Sequence, residues 1–246
     1  MSLKTRCLAT AIGSLPHASA DDAVNVVLKN IPNAPIWPQL PANGMNEQME
    51  VQYSEGLPRV VIDREKERMY FDTTGDYSMD LANFYENFLV ENFDAFQITS
   101  EFSQGIYAME TALKASGKKL PFVKVQTTGP ISFGLTIVDE NKRAIFYNPE
   151  FIDIVVKGLA MKCRWQIQKF RSFAENVICF IDEPILSAFG SSTYVSVNRD
   201  DVVAKLGEVV DAVHSEGALA GVHCCGNTEW SILIDAGVDI VNFDAF

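Results

Sequence analysis

Val177-Ile178-Cys179-Phe180-Ile181-Asp182-Glu183-Pro184 is a short apolar run closed by two carboxylates and a proline. It reads as a buried strand whose end carries charge. Two carboxylates there are costly unless a cation, an amine or a metal pairs with them, so the strand end is where chemistry is expected. Working outward, similar β-rich runs lie at Cys7–Gly13, Ile36–Leu40, Phe96–Thr99, Phe122–Thr127, Ala218–Cys224 and Asp239–Phe243. Longer segments with helical spacing separate them. Alternation of this kind is the pattern of repeated βα units around a parallel sheet. Seven such strands predict an α/β chain, a (β/α)8 TIM barrel lacking its last βα unit, with a doubly wound sheet as the alternative. The missing strand would leave two unpaired edges, so a longer gene product, or another chain over the gap, is expected.

The helical faces are Ala23, Val24, Val27 and Leu28 after a Ser19 cap; Leu81, Phe84 and Phe88; Ile106, Met109 and Leu113; Phe151 to Trp165 in the segment from Pro149 to Ala174; and Val202 to Val213. They read as core stripes. Residues 41–76 break the repeat, being long, polar and rich in Glu, Asp and Arg, and read as an extended loop or a hairpin of Val60–Asp63 against Arg68–Asp72. Loops of that length are usually lids or binding loops. Nothing in the sequence divides the 246 residues, which read as one domain.

A formal net charge of -12 argues against a nucleic-acid surface. Five cysteines, an odd number, do not read as a disulfide framework, so a cytoplasmic setting is expected. No apolar run is long enough for a membrane span, and Met1-Ser2-Leu3-Lys4 does not lead into a secretory signal. A small molecule or a protein is the expected partner.

In parallel α/β folds of the predicted type the chemistry sits at the C-terminal strand ends. Val222-His223-Cys224-Cys225-Gly226-Asn227 puts an imidazole and a thiol two residues apart, where an extended chain would turn both to one face. Nitrogen and sulfur donors suit zinc. Asp244, the carboxylate after the next strand, is the natural third ligand. The plain alternative is a pair of small buried cysteines beside a satisfied histidine. Ala11-Ile12-Gly13-Ser14-Leu15-Pro16-His17, a glycine turn bearing a hydroxyl, is of a kind that holds a carboxylate, and Gln126-Thr127-Thr128-Gly129-Pro130 gathers hydroxyls at another turn. Both also fit ordinary turn chemistry.

Taken in order, Ile12-Gly13-Ser14 with Pro16, Thr128-Gly129-Pro130, Asp182-Glu183-Pro184 and His223-x-Cys225 resemble the catalytic domain of cobalamin-independent methionine synthase. They also resemble the wider superfamily that holds methylcobamide:coenzyme M methyltransferases and uroporphyrinogen decarboxylase. The resemblance implies a zinc-dependent methyltransferase of methionine biosynthesis, in which the metal binds a small thiol such as homocysteine and lowers its pKa. It implies His223 and Cys225 as zinc ligands, Asp244 at or near the acidic ligand, and a second cysteine on an eighth strand that this chain lacks. Ile12 and Ser14 would hold the amino-acid carboxylate and Asp182 its amine, with Glu47 as a second amine partner and Glu55 behind it. The family's amino-terminal half is absent, so the implied methyl donor is folate or a corrinoid protein. Aspartate stands where the family has glutamate, and the family's proton-donating histidine lies on the absent strand.

Two other readings follow. Decarboxylation would call for an arginine-rich amino-terminal segment, whereas Arg6 is the only arginine before Arg59. A barrel that binds its ligand without turnover is the non-enzymatic reading.

Overall fold

The computed structural model describes residues 7–191 and 196–244, so that Met1–Lys4 and Arg6 lie outside the described residues. It contains helices α1 (Ala20–Asn30), α2 (Met49–Ser54), α3 (Ser78–Leu89), α4 (Gln104–Ser116), α5 (Pro130–Thr136), α6 (Pro149–Phe170), α7 (Arg199–Ser215) and α8 (Ser231–Asp235). The strands are β1 (Val60–Asp63), β2 (Arg68–Phe71), β3 (Leu120–Thr128), β4 (Val138–Asp139), β5 (Ala174–Asp182), β6 (Leu219–Cys224) and β7 (Ile240–Phe243). Side-chain caps set several helix starts, the expected Ser19 among them. Ser19 Oγ accepts from Asp22 N–H at 3.2 Å to cap α1, and Asn148 and Asn198 cap α6 and α7 in the same way.

The barrel expectation is overturned. The described strands form two sheets, one of four parallel strands in the order β3-β5-β6-β7, the other of three mixed strands in the order β1-β2-β4. Three expected strands are absent among the described residues. The stretch 36–40 is bracketed and interrupted by Pro35, Pro38 and Pro41, which have no N–H to give a ladder. Asn33 and Pro35 accept from Phe122 and Lys124 at 3.1 and 2.9 Å, and pairing reduces to the isolated bridge Ile36–Lys124. The stretch 7–13 is left with the neighbouring bridge Ser14–Gln39. The stretch 96–99 follows a short 3-10 turn, Phe93–Phe96, and side chains take up its backbone. Lys162 Nζ donates to the carbonyls of Phe96 and Gln97 at 3.3 and 3.5 Å, and Glu55 accepts from Thr99 N–H at 2.8 Å.

Residues 41–76 are folded rather than loose. They contain α2 and the antiparallel hairpin β1–β2, and β2 continues in parallel to β4.

The four-stranded sheet has two unlike faces because side chains alternate along a strand. Val123, Val125, Cys179, Ile181, Ala220, Val222 and Cys224 join the main core with residues of α6 and α7 such as Val155, Leu159, Leu206 and Val210. The other face is split. Phe122, Ile178 and Phe180 form a small apolar cluster with Ala34 at its lower end, and polar side chains occupy the end where the strands finish.

Candidate functional site

The register of the parallel strands pairs Thr128 with Asp182, Asp182 with His223, and His223 with Asn242. Paired residues of adjacent strands project from the same face, so four polar side chains stand in one row across four strands. That row lies at the carboxyl ends, where open parallel sheets bind their ligands. Thr128 is fully buried and Asp182 is 4% exposed. Neither Oγ1 of Thr128 nor Oδ1 of Asp182 has a hydrogen-bond partner among the described residues. Leaving such atoms unpaired costs on the order of 1–3 kcal/mol each, more for a charge. A ligand that bonds both would recover that cost. Burial pushes the Asp182 carboxyl up to about 6, against the pull of Lys124 and His223 in the other direction.

Lys124 lies two residues along the same face of β3 from Gln126 and four from Thr128. It is fully buried, and burial brings its amine down to about 8, with Asp182 and Cys179 acting to raise it. Its Nζ donates to the carbonyl of Ile12 and to Gln126 Oε1 at 3.1 Å, and stands 4.8 Å over the Phe180 ring. Lys124 was missed in the sequence although a signal was present. A lysine and a glutamine two apart in an otherwise apolar strand share one face, and such a lysine is buried only when partners await it.

The Ile12–Ser14 turn, just ahead of α1, meets this network through the Ile12 carbonyl. Ser14 is exposed, and its Oγ donates to Gln39 Oε1 at 2.8 Å. Gly13 sits so close to Gln126 that a Cβ there would lie 2.6 Å from Nε2 and would push that amide aside. Glu47 is buried, with one oxygen accepting from Gln104 N–H at 2.8 Å at the start of α4 and the other from Gln52 at 3.4 Å. Burial raises its carboxyl, with these bonds opposing. Glu47 therefore anchors a helix start.

The two carboxylates at the end of β5 go opposite ways. Glu183 turns from Asp182 and, fully buried, accepts from Ile131 N–H at 2.9 Å, Ser132 N–H at 2.7 Å and Ser132 Oγ at 2.7 Å. Burial pushes its carboxyl up to about 7, with these donors opposing. A Cβ at residue 129 would come within 2.1 Å of its carboxyl. Thr128-Gly129-Pro130 and Asp182-Glu183-Pro184 are thus two halves of one device. Glycine makes room, and the glutamate holds the first turn of α5.

The expected metal ligands lie at and just beyond the ends of β6 and β7. β6 ends at Cys224, so Cys225 lies past the extended segment and the same-face argument does not reach it. His223 is half-buried, with Nδ1 2.6 Å from Asn242 Oδ1. Cys225 and Asp244 instead line a pocket of about 490 Å³ with Trp230, Val241 and Phe243. Val241 and Phe243 alternate with Asn242 on β7 and so belong to the opposite face from His223. Among the described residues no three His, Cys, Asp or Glu side chains form a group able to hold a metal ion. The donor types suit zinc, but these residues do not by themselves assemble a site for it.

No protein-family model matches the chain, and no curated protein does. The fold has a solved counterpart. A methyltransferase from Methanosarcina mazei superposes with a TM-score of 0.51 at 12% identity, over 92% of this chain and 63% of that one. The likeness is one of fold, and this chain spans less than two thirds of that protein's length. No helix among the described residues is long and apolar enough to cross a membrane.

Proposed function

We propose that this chain holds the acceptor substrate of a methyltransferase, and that the acceptor is a small amino-thiol, homocysteine first among candidates. The observation that carries the reading is the pair of unpartnered buried atoms, Thr128 Oγ1 and Asp182 Oδ1, side by side at the carboxyl end of a parallel sheet. An ammonium group is the natural complement to a buried carboxylate and a hydroxyl. Asp182 and Thr128 bind the substrate amine in this reading, and the Ile12–Ser14 turn takes its carboxylate. Lys124 keeps the floor of the site positive and holds Asp182 ionised more readily than burial alone would allow. Glu47, with both oxygens engaged, supports the site and does not touch substrate.

The sequence resemblance and the fold of a protein named methyltransferase favour methyl transfer over other uses of such a pocket. Zinc belongs to this reading through the resemblance. It would bind the substrate sulfur and lower its pKa, and it would need donors beyond His223, Cys225 and Asp244. Folate or a corrinoid protein is the methyl donor in the same reading.

Calorimetric titration of the chain with L-homocysteine tests it. Binding is expected, weakened about tenfold or more in Asp182→Asn, as befits loss of a charge-assisted bond of about 1.5–3 kcal/mol. Equal affinity of the two proteins, or no heat with either, would sink the proposal.

A further inference from the structure

His223 and Asn242 are register partners on adjacent parallel strands, so the backbone itself brings their side chains together on one face. The contact between them is the short 2.6 Å approach of Nδ1 to Oδ1, half-buried at the end of the polar row. An amide oxygen carries no proton, so the ring nitrogen must donate. We propose that Asn242 is a positioning residue that fixes the proton of neutral His223 on Nδ1 and leaves the lone pair of Nε2 for the site.

This goes beyond the substrate assignment. The identity of the histidine tautomer decides which ring nitrogen accepts a hydrogen bond or a proton, or binds an electrophile, and the partner of the other nitrogen sets that identity. Asp182, the next member of the row, already brings a carboxyl group to it, and its Oδ1 has no partner among the described residues. Asn242 therefore does for His223 what a neutral acceptor can do without adding charge: it orients the ring and holds one proton in place. An aspartate at residue 242 would orient the ring equally while placing a second carboxylate in a row that already holds Asp182. The rival arrangement has the amide turned over, with its NH2 donating to Nδ1 and the ring proton on Nε2. The two arrangements give opposite spectra.

Nitrogen NMR of the ¹⁵N-histidine-labelled chain at mildly alkaline pH distinguishes them, with His223→Gln identifying the resonance and His17 and His214 serving as internal references. The expected spectrum shows His223 protonated at Nδ1. Asn242→Asp should preserve that tautomer, and Asn242→Val should shift the ring to a predominantly Nε2-protonated form while the other two histidines stay unchanged. A wild-type His223 protonated at Nε2 would overturn the proposal, as would an Nδ1 proton that persists in Asn242→Val. If Asn242→Val does not fold, the wild-type and Asn242→Asp spectra still decide it. The readout needs no substrate, so its failure is separable from failure of homocysteine to bind.

Discussion

Replacing Gly129 with alanine would put a methyl carbon 2.1 Å from the carboxyl of Glu183. Nothing on the Glu183 side can yield cheaply, because that carboxyl is fully buried and already accepts from two backbone N–H groups and the Ser132 hydroxyl. Either the alanine stays strained or Glu183 leaves its donors. Overpacking alone costs about 1–3 kcal/mol, and stripping a buried charge of its partners costs about 3–5. These are alternative outcomes rather than a sum, and the 2.1 Å overlap is too deep for the carboxyl to remain. A loss of about 3–5 kcal/mol is expected near neutral pH, and in a chain of this size that lowers Tm by about 6–20 °C. At pH 5, where the Glu183 carboxyl is protonated, the loss should sit at the lower end. Urea unfolding followed by circular dichroism measures it. Gly207→Ala is the control, since its Cβ meets nothing closer than Ala236 O at 3.9 Å; that helical site should gain about 0.5–1 kcal/mol. In a Glu183→Ala background the Gly129→Ala penalty should shrink to about 1 kcal/mol or less, the signature of direct coupling. A Gly129→Ala protein within about 1 kcal/mol of wild type would refute the account of this device.

Stability should also fall as pH rises across the mildly acidic range. Asp182 and Glu183 have carboxyls raised to about 6 and about 7 from ordinary values of 3.8 and 4.5. Between those values the folded protein keeps protons that the unfolded chain has released, so this contribution is full below about pH 4 and gone above about pH 7. An Asp182→Asn, Glu183→Gln double variant should lack that decline, worth on the order of a few kcal/mol at 1.36 per pKa unit, and an unchanged slope in a pH series of denaturant melts would contradict it. Lys124→Met removes a cation that lowers the Asp182 carboxyl; carbon NMR should therefore find Asp182 titrating above its wild-type value, and a downward shift would exclude that charge effect.

Much of the scaffold is legible in short-range pattern. The strands near 120–128, 174–182, 219–224 and 240–243 announce themselves as apolar runs between helical stretches, and the helix starts at Ser19 and Pro149 agree with capping and proline chemistry. The same reading over-extended itself at 7–13, 36–40 and 96–99. Apolar composition at 36–40 and 96–99 reads as strand, while prolines remove backbone donors in the first and Glu55 and Lys162 take backbone groups in the second. It also carried the i, i+2 rule one residue past the end of β6, where His223 and Cys225 are no longer two positions of one strand.

What the sequence determined by itself about this protein is local: where strands and helices form, which residues alternate onto one face of a strand, and that Asp182 and Glu183 need partners. What only the tertiary structure decided is which of those faces meet. Thr128, Asp182, His223 and Asn242 belong to strands separated by whole helices, and no spacing along the chain states that they form one row. The crossover packing and the ladder register set it. The same holds for the parting of the two carboxylates. Glu183, one residue past the end of β5, reaches the donors at the start of α5, while Asp182, the last residue of the strand, faces the site with an oxygen that has no partner among the described residues.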